Sequence, residues 1–323
     1  MHTNMKIISR LQYLACVLFA ALGFVSCESF DSVPSVQSRT PSYLAMETYS
    51  GRILYSGNPN ERRPIGMLAN VATALVTLDW INSKKISPDR MLTVPAAACR
   101  WPQTNLLRLS PGDRISVRDA LHSAIMWDDS ACAATLAYAC GSTINPSNPE
   151  GAFIAQMNHL GNMIGMNSTR FKGTSGAVIT QSDTHDMARL CLFAMRNPDF
   201  CFICAKRSYV ATVNGSRSVT IVNSNSMLNY PSVNGVRAAR SASAGACLLA
   251  TVHRPSVKLP NPHTGKQETY PQRLLIVILG AHSSQSRYKV ASMLLRDGWN
   301  AWEEWQRSYD YSDRSKFILL PKL

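Results

Sequence analysis

The order in which the hydrophobic pattern changes along the chain is the feature that most constrains its fold. Two short strand-like runs, Tyr43–Glu47 and Arg52–Tyr55, lie on either side of a turn at Gly51 and predict a β-hairpin. Residues Met67–Ile81 carry apolar side chains at helical spacing without Gly or Pro, which predicts a buried helix. From Tyr209 onward the pattern changes to β-branched runs. Both ends of the chain are therefore expected to meet in one sheet.

Further elements follow from the same periodicities. The middle of the chain is predicted to be helical at Arg118–Met126, Ser130–Ala139, Ala152–Leu160 and Thr184–Met195, with Ser116 and Asp183 as candidate caps. Strands are predicted at Tyr209–Val213, Ser218–Val222, Gly245–His253 and Arg273–Leu279, and helices again at Ser286–Arg296 and Trp299–Trp305. The predicted class is α/β (α+β): one antiparallel sheet flanked by helices, with a helical insertion from about residue 80 to about residue 205.

The N-terminal residues predict export. Lys6 and Arg10 precede an apolar run from Leu14 to Val25, so residues 1–26 are predicted to be a signal peptide. Small residues before Cys27 are similar to the site at which bacterial lipoproteins are cleaved and acylated, and Cys27 is the predicted lipidation site; ordinary secretion is the alternative. Residues 27–40, rich in Ser, Pro and Thr, predict a flexible tether, residues 41–300 one domain, and residues 301–323 a tail. This predicts an envelope protein anchored in a membrane and facing the periplasm.

The chain is basic, with a formal net charge of +13. Without Lys6 and Arg10 there remain 31 basic and 20 acidic residues. A basic surface favours anionic polymers, and for an exported protein these are the cell wall and lipid head groups. No recognisable nucleic-acid-binding motif is present, so nucleic acid is not an expected partner. Simple solubility is the other reading of this charge.

Cysteines and histidines predict neither a metal nor a cofactor. Of nine cysteines, Cys16 and Cys27 fall in or beside the signal, and the remaining seven cannot all pair. Cys201 and Cys204 have metal-binding or redox spacing, but no second Cys or His pair lies nearby in the sequence. Buried, unpaired thiols are the favoured reading.

Several phrases, in order along residues 43–300, carry a resemblance to a known family. They are Tyr49–Tyr55, Ala72–Val76, Ser110–Leu121, Ser182–Ala188, Asn223–Asn225, Tyr230–Gly235 and Leu279–Ala281. Together they resemble the serine D-alanyl-D-alanine carboxypeptidases of the penicillin-binding, β-lactamase-like fold. The resemblance implies three clusters around one pocket: Ser-x-x-Lys opening the buried helix, Ser-x-Asn on a loop, and Lys-Thr-Gly on a strand. The first serine is the nucleophile and its lysine the base.

This sequence departs from the family pattern at each cluster. Aligning the flanking phrases places Met67 at the nucleophile and Asn70 at the base. The second cluster falls at Asp128-Asp129-Ser130, with Asp128 and Ser130 at the functional positions, and the third at Arg237-Ala238-Ala239, which keeps only the positive charge. The sequence therefore predicts a protein of this family without an intact catalytic site.

Arg237, Arg240 and Arg287 are the candidate ligand-binding residues of a basic groove, and the resemblance implies positive charge at position 237 and near position 287 to hold a peptide carboxylate. Arg287 could equally be a solvated residue at the start of a helix. The expected partner is a peptidoglycan peptide or an envelope protein. A literal Ser-x-x-Lys motif at Ser286–Lys289 is rejected as a relocated site, since it opens the last predicted helix away from the pocket.

Two other functions stay open. The chain could be an active serine-type D-Ala-D-Ala carboxypeptidase or hydrolase acting on peptidoglycan through a non-standard site, with Ser130 as nucleophile beside Asp128 or Asp129, although no neighbouring base is evident. It could also be a structural scaffold that presents Trp299, Trp302 and Trp305 to a partner, although core packing explains such spacing more often.

Overall fold

A computed structural model describes residues 40–100, 104–261 and 263–307. The predicted signal peptide, the lipidation site Cys27, the tether before residue 40 and the tail after residue 307 lie outside the described residues. None of the helices in the described ranges combines the length and the apolar character that a membrane crossing requires.

The main sheet has five antiparallel strands in the order β2-β1-β11-β10-β9. The first two strands come from the predicted N-terminal hairpin and the other three from the last third of the chain, so the two ends of the domain do meet in this sheet. The strands are β1 (Ser42–Glu47), β2 (Ile53–Gly57), β9 (Val233–Ser241), β10 (Gly245–Pro260) and β11 (Gln267–Ala281). β9 forms one edge of this sheet.

The central strand β11 is apolar on both faces because both faces are covered. Leu275, Val277 and Leu279 pack into the large core with the helices that follow β2, whereas Ile276 and Ile278 pack against the C-terminal helix. This explains why the sequence reads as a continuous apolar run here rather than as an alternating one.

The predicted buried helix contributes to the core on the first of these faces. A 3-10 turn at Gly66–Ala69 leads directly into α1 (Asn70–Lys84), and the residue that follows the helix, Lys85, caps it in the left-handed conformation. The other helices are α2 (Val117–Met126), α3 (Ser130–Ser142), α4 (Pro149–Met163), α5 (Thr184–Ala194), α6 (Pro198–Cys204) and α7 (Ser284–Arg307). The predicted caps are present: the Ser116 hydroxyl accepts from Asp119 N–H, and the Asp183 carboxylate accepts from Asp186 N–H.

The expectation of a single sheet was wrong for the runs near residues 209–213 and 218–222. These runs are β7 (Ser208–Val213) and β8 (Arg217–Val222), and they form a separate four-stranded sheet, β4-β5-β7-β8, with β4 (Met91–Thr93) and β5 (Arg114–Ser116). Their alternation predicts a strand but does not specify its partner. A third, two-stranded sheet pairs β3 (Arg63–Pro64) with β6 (Gln181–Ser182).

The two C-terminal helices predicted from the sequence are one continuous helix, α7, which runs through residue 300 to Arg307. Gly298 lies inside it, where a Cβ would come within 3.1 Å of the Leu274 side chain. Trp299, Trp302 and Trp305 are buried in a cluster against β11 and its neighbours. They therefore do not present the partner surface considered for them.

Candidate active site

Met67 lies in the 3-10 turn that opens α1, at the end of the buried helix where the sequence places the nucleophile position. Its side chain is buried, at 4% exposure, and a thioether carries no oxygen that could attack a carbonyl. The backbone of Gly176 crosses this turn so closely that a Cβ on it would lie 2.3 Å from Met67 N. The turn is therefore both chemically inert and covered.

Asn70 is the first residue of α1, one helical turn beyond Met67. Its Nδ2 donates to the carbonyl oxygen of Ala124 at 2.9 Å, and no partner in the described residues reaches its buried Oδ1. A side-chain amide does not take up a proton near neutral pH, so Asn70 provides no base.

Arg237, in β9, is buried with 1% exposure and directs its guanidinium across to the helices. Its Nε donates to Met67 O at 2.8 Å, its Nη1 donates to Ile125 O, and its Nη2 donates to the Asp128 carboxylate at 2.7 Å. Burial lowers the pKa of Arg237, and the Asp128 carboxylate opposes this shift. The sequence predicted that positions 67, 128 and 237 surround one site, and the structure brings these three residues together.

The C-terminus of α2 explains part of this arrangement. The last carbonyls of a helix have no partner within it. Here Ala124 O accepts from Asn70, Ile125 O from Arg237 and Met126 O from the backbone N–H of Ser224. A cation at a helix C-terminus is also favoured by the helix dipole. Arg237 thus completes a helix end that lies far from it in the sequence.

Asp128 lies between α2 and α3, with a positive φ of 20°. Its carboxylate accepts from the Arg237 side chain at 2.7 Å. Burial raises the pKa of the Asp128 carboxyl, while the charges of Arg237 and Arg287 oppose the shift. The side chain is still 25% exposed, so solvent reaches the outer side of the pair.

The neighbouring residues Asp129 and Ser130 have structural contacts. The Asp129 carboxylate caps α3 by accepting from Cys132 N–H, and it also accepts from the N–H groups of Leu106 and Leu107. The Ser130 hydroxyl donates to Thr104 O at 3.1 Å and accepts from Thr104 N–H. No lysine or histidine is among the hydrogen-bond partners of Ser130 in the described ranges, so no contact there activates this hydroxyl as a nucleophile.

Arg287 is buried, at 4% exposure, so the reading of it as a solvated residue was wrong. Its Nη1 donates to Ala239 O at 3.0 Å and to Cys247 O at 3.1 Å, which ties α7 to β9 and β10. The Arg240 side chain is exposed, whereas Ala238 and Ala239 are buried in β9. Of the three candidate ligand-binding arginines, only Arg240 presents its side chain to solvent.

Ser224 contributes to the site but had no assigned role in the sequence interpretation. Its hydroxyl donates to Ala238 O at 2.7 Å, from outside the edge of β9. The only sequence signal was its place in the phrase Asn223-Ser224-Asn225, which supported the family resemblance. The phrase alone could not predict that this hydroxyl would pair with a strand edge.

Comparisons with known proteins agree with this arrangement of elements. The profile of the D-alanyl-D-alanine carboxypeptidase family matches residues 29–260. The chain is 28% identical over 270 residues to D-alanyl-D-alanine carboxypeptidase DacD of Escherichia coli (strain K12), covering 80% of this chain and 62% of that protein. It therefore spans less than two thirds of the length of this relative.

Two solved structures have a similar fold. A mutant of the Streptomyces K15 DD-transpeptidase superposes with a TM-score of 0.69 at 23% identity, over 80% of this chain and 97% of the other. Penicillin-binding protein 6B from Escherichia coli superposes with a TM-score of 0.65 at 26% identity, over 80% of this chain and 76% of the other. Since the family profile covers well over half of the sequence, the chain belongs to the D-alanyl-D-alanine carboxypeptidase family.

Proposed function

We propose that this chain is a non-hydrolysing member of the D-alanyl-D-alanine carboxypeptidase family that binds peptidoglycan peptides or an envelope protein. The observation that carries the proposal is the turn at the start of α1, where a buried methionine stands at the predicted nucleophile position and Asn70 at the predicted base position. Neither side chain can supply an attacking oxygen or remove its proton.

Arg237 further supports the loss of hydrolysis. In the described structure each guanidinium nitrogen donates to a protein group, so the positive charge at this position serves the fold. The exposed Arg240 at the same strand and the overall net charge of +13 favour an anionic ligand, and a peptide with a free C-terminal carboxylate is one.

The proposed location is the cell envelope, with the chain anchored to a membrane through acylated Cys27 and facing the periplasm. This rests on the sequence, because Cys27 lies outside the described residues. Blocking lipoprotein processing with a globomycin-type inhibitor is expected to leave the full-length precursor in the membrane, and Cys27→Ala is expected to abolish acylation. Identical processing and retention of Cys27→Ala would contradict the lipid anchor.

A labelled β-lactam tests the loss of catalysis. Such a compound forms a stable acyl adduct only with an activated nucleophile. We expect intact-protein mass spectrometry to detect no acyl mass on this chain under conditions that label a working carboxypeptidase completely. An acyl mass mapped to any residue would overturn the proposal, and an adduct lost in Ser130→Ala would identify Ser130 as the nucleophile.

A peptide titration tests the binding part. An acetylated peptide that ends in D-Ala-D-Ala is expected to bind more tightly than the same peptide with a C-terminal amide, because only the acid carries a carboxylate. Isothermal titration calorimetry measures both. Equal affinities, or no binding by either peptide, would contradict peptide recognition through the carboxylate.

A further inference from the structure

The second sheet ends in an open edge strand. β8 is the last strand in the order β4-β5-β7-β8, and β7 is its one neighbour among the strands of the described residues. An edge strand carries a row of N–H and C=O groups that have no partner in their own sheet, and another strand can pair with them. β8 is therefore a candidate interaction surface.

The ladder between β7 and β8 shows which backbone groups face outward. The N–H of Asn223 donates to Arg207 O at 2.9 Å, in the register of this ladder. Bonded and non-bonded pairs alternate in an antiparallel ladder. The N–H and C=O groups of Ser218, Thr220 and Val222 therefore point away from β7 and are available to a further strand.

This edge lacks the protection that edge strands usually carry. Natural edges are guarded by charged side chains, by proline or by a covering element. Residues 218–222 read Ser-Val-Thr-Ile-Val, without charge or proline and with four β-branched side chains. The edge of β9, by contrast, is covered at Ala238 O by the Ser224 hydroxyl. β8 is thus the more open of these two edges.

Arg217, at the start of β8, is held against its own domain. Its Nη1 donates to Leu107 O and its Nη2 donates to Arg108 O at 3.2 Å. The same Nη2 lies 3.5 Å from the Asp113 carboxylate, which compensates part of its charge. The guanidinium therefore binds the loop before β5 and does not guard the edge of β8.

The outward face of the two strands adds apolar surface beside the edge. Val222 of β8 is 63% exposed and Val210 of β7 is 55% exposed, whereas Ile221 points to the other face and is buried in the core. A strand added to β8 would cover part of this apolar surface, and removing it from water favours association.

We propose that β8 is a self-association surface, on which two copies of this chain pair their β8 strands antiparallel and join their sheets. A twofold axis at Thr220 places Thr220 of one copy against Thr220 of the other, and Ser218 against Val222 of the second copy. Such an interface is self-complementary. The two Arg217 side chains lie at its opposite ends, so no like charges meet. This self-complementarity favours a second copy over a strand from another protein.

The dimer is expected to be reversible, because one strand pair is small beside the roughly 1,600 Å² that a stable interface buries. Sedimentation velocity of the full chain in a mild detergent measures it. The wild-type protein should shift from monomer to dimer as its concentration rises through the micromolar range. A wild-type chain that stays monomeric throughout would overturn the inference, which does not depend on the proposed function.

A charge at position 220 tests the axis. Thr220→Lys should raise the dissociation constant about fivefold or more, because two like charges then face each other. Met91→Lys is the matched control, since Met91 is exposed on β4 at the other edge of the same sheet, and it should dimerise like the wild type. An unchanged dimer in Thr220→Lys would overturn the inference.

An exchange of charges separates lost pairing from lost folding. Thr220→Glu alone should also weaken the dimer, but an equimolar mixture of Thr220→Lys and Thr220→Glu should restore it, because opposite charges then meet across the axis. Rescue requires that both variants are folded. A mixture of folded variants that dimerises no better than either one alone would overturn the pairing through Thr220.

Hydrogen exchange of the wild-type chain tests the same edge without any variant. The amides of Ser218, Thr220 and Val222 should exchange more slowly as the concentration of the chain rises, while those of β4 should not change. Dimerisation without slower exchange at these three amides would overturn the inference. Slower exchange that requires an added extract of envelope proteins would assign the edge to another protein and would also overturn it.

Discussion

Arg63 and Arg237 are the two largest side chains that the described part of the chain buries completely, and they join their surroundings in different ways. Arg63 donates to Ser42 Oγ at 2.8 Å, to Thr40 O at 2.6 Å and to Glu61 at 2.8 Å, all within 23 residues of it in the sequence. The partners of Arg237 lie 109 to 170 residues away. The hydrogen bonds named for Arg63 connect residues close in the sequence, whereas those of Arg237 join β9 to the helices.

This difference predicts how much unfolding free energy the protein loses when each buried arginine is removed. A buried guanidinium is stabilised only while its partners remain, and removing one member of a buried pair leaves the other without compensation. Glu61 is 31% exposed and can be solvated if Arg63 is lost. Asp128 is 25% exposed, which is similar, but Arg237 also bonds the carbonyls of Met67 and Ile125, and both of these residues lie in the hydrophobic core, away from water.

The largest expected effect is therefore that of Arg237→Ala. It should lower the free energy of unfolding by about 3 to 5 kcal/mol, because Asp128 and the carbonyls of Met67 and Ile125 lose their partner. Urea denaturation followed by circular dichroism measures this. Arg237→Ala combined with Asp128→Ala should recover part of the loss, since the stranded carboxylate is gone. A smaller loss of unfolding free energy than in Arg63→Ala would contradict the proposed difference between the two arginines.

Arg63→Ala should cost less, about 2 to 3 kcal/mol, as expected for charged hydrogen bonds lost at a site that water can enter. The same urea titration compares it directly with Arg237→Ala. Hydrogen exchange should show increased opening confined to β1 and β3, whereas Arg237→Ala should also expose the end of α2. Equal exchange across the whole domain in both variants would remove the distinction between a local and a long-range contact.

His122 provides a pH test that neither arginine can produce, since both stay charged in the acid range. Its Nδ1 donates to Arg118 O at 2.8 Å, and its ring stacks on Tyr209 with the centroids 3.8 Å apart. Burial lowers the pKa of His122 from 6.5 to about 4. A lowered histidine pKa stabilises the folded state above the unfolded pKa, and this contribution is lost as the pH falls toward the folded pKa.

Between about pH 7 and about pH 4.5 the wild-type protein should therefore lose about 2 kcal/mol of unfolding free energy through His122 alone. His122→Phe keeps an aromatic ring against Tyr209 and should lack this component, while both arginine variants should retain it. Urea titrations at the two pH values measure the difference. An identical pH dependence in His122→Phe and in the wild type would contradict the assignment.

The smallest effect is expected for Asp89→Ala. Asp89 accepts from Arg118 Nε at 2.9 Å, a distance similar to those in the two buried pairs, but its side chain is 73% exposed. Solvent screens such a pair. We expect no measurable change in the urea midpoint, and a loss that approaches that of Arg63→Ala would show that burial is not what separates these ion pairs.

How well the sequence predicts a contact depends on how far apart its two residues lie in the sequence. The cap at Ser116 and the helix that follows it were predicted, because a cap and its N–H lie three residues apart. The pairing of β7 with β5, through Val213 and Ile115, was not, because alternation specifies the face of a strand and not its neighbour.

The candidate site follows the same rule. The family resemblance placed Met67, Asp128 and Arg237 near one another, and the structure brings them together. The resemblance could not predict that Arg237 would donate a hydrogen bond to a carbonyl at the end of α2, or that Arg287 would be buried with its guanidinium bonded to Ala239 O. Those contacts depend on how a helix end packs against a strand after folding, and no local sequence pattern predicts this packing.

The covered edge of β9 also has a consequence for aggregation. An open strand edge is a template on which a second copy of a chain can pair. The Ser224 hydroxyl covers this edge at Ala238 O, and Asp128, over 100 residues earlier in the chain, pairs with Arg237 of the same strand. Until the connection between α2 and α3 docks, β9 is exposed in the folding chain. Variants that delay this docking should therefore aggregate during refolding in proportion to protein concentration, even where the native state is soluble.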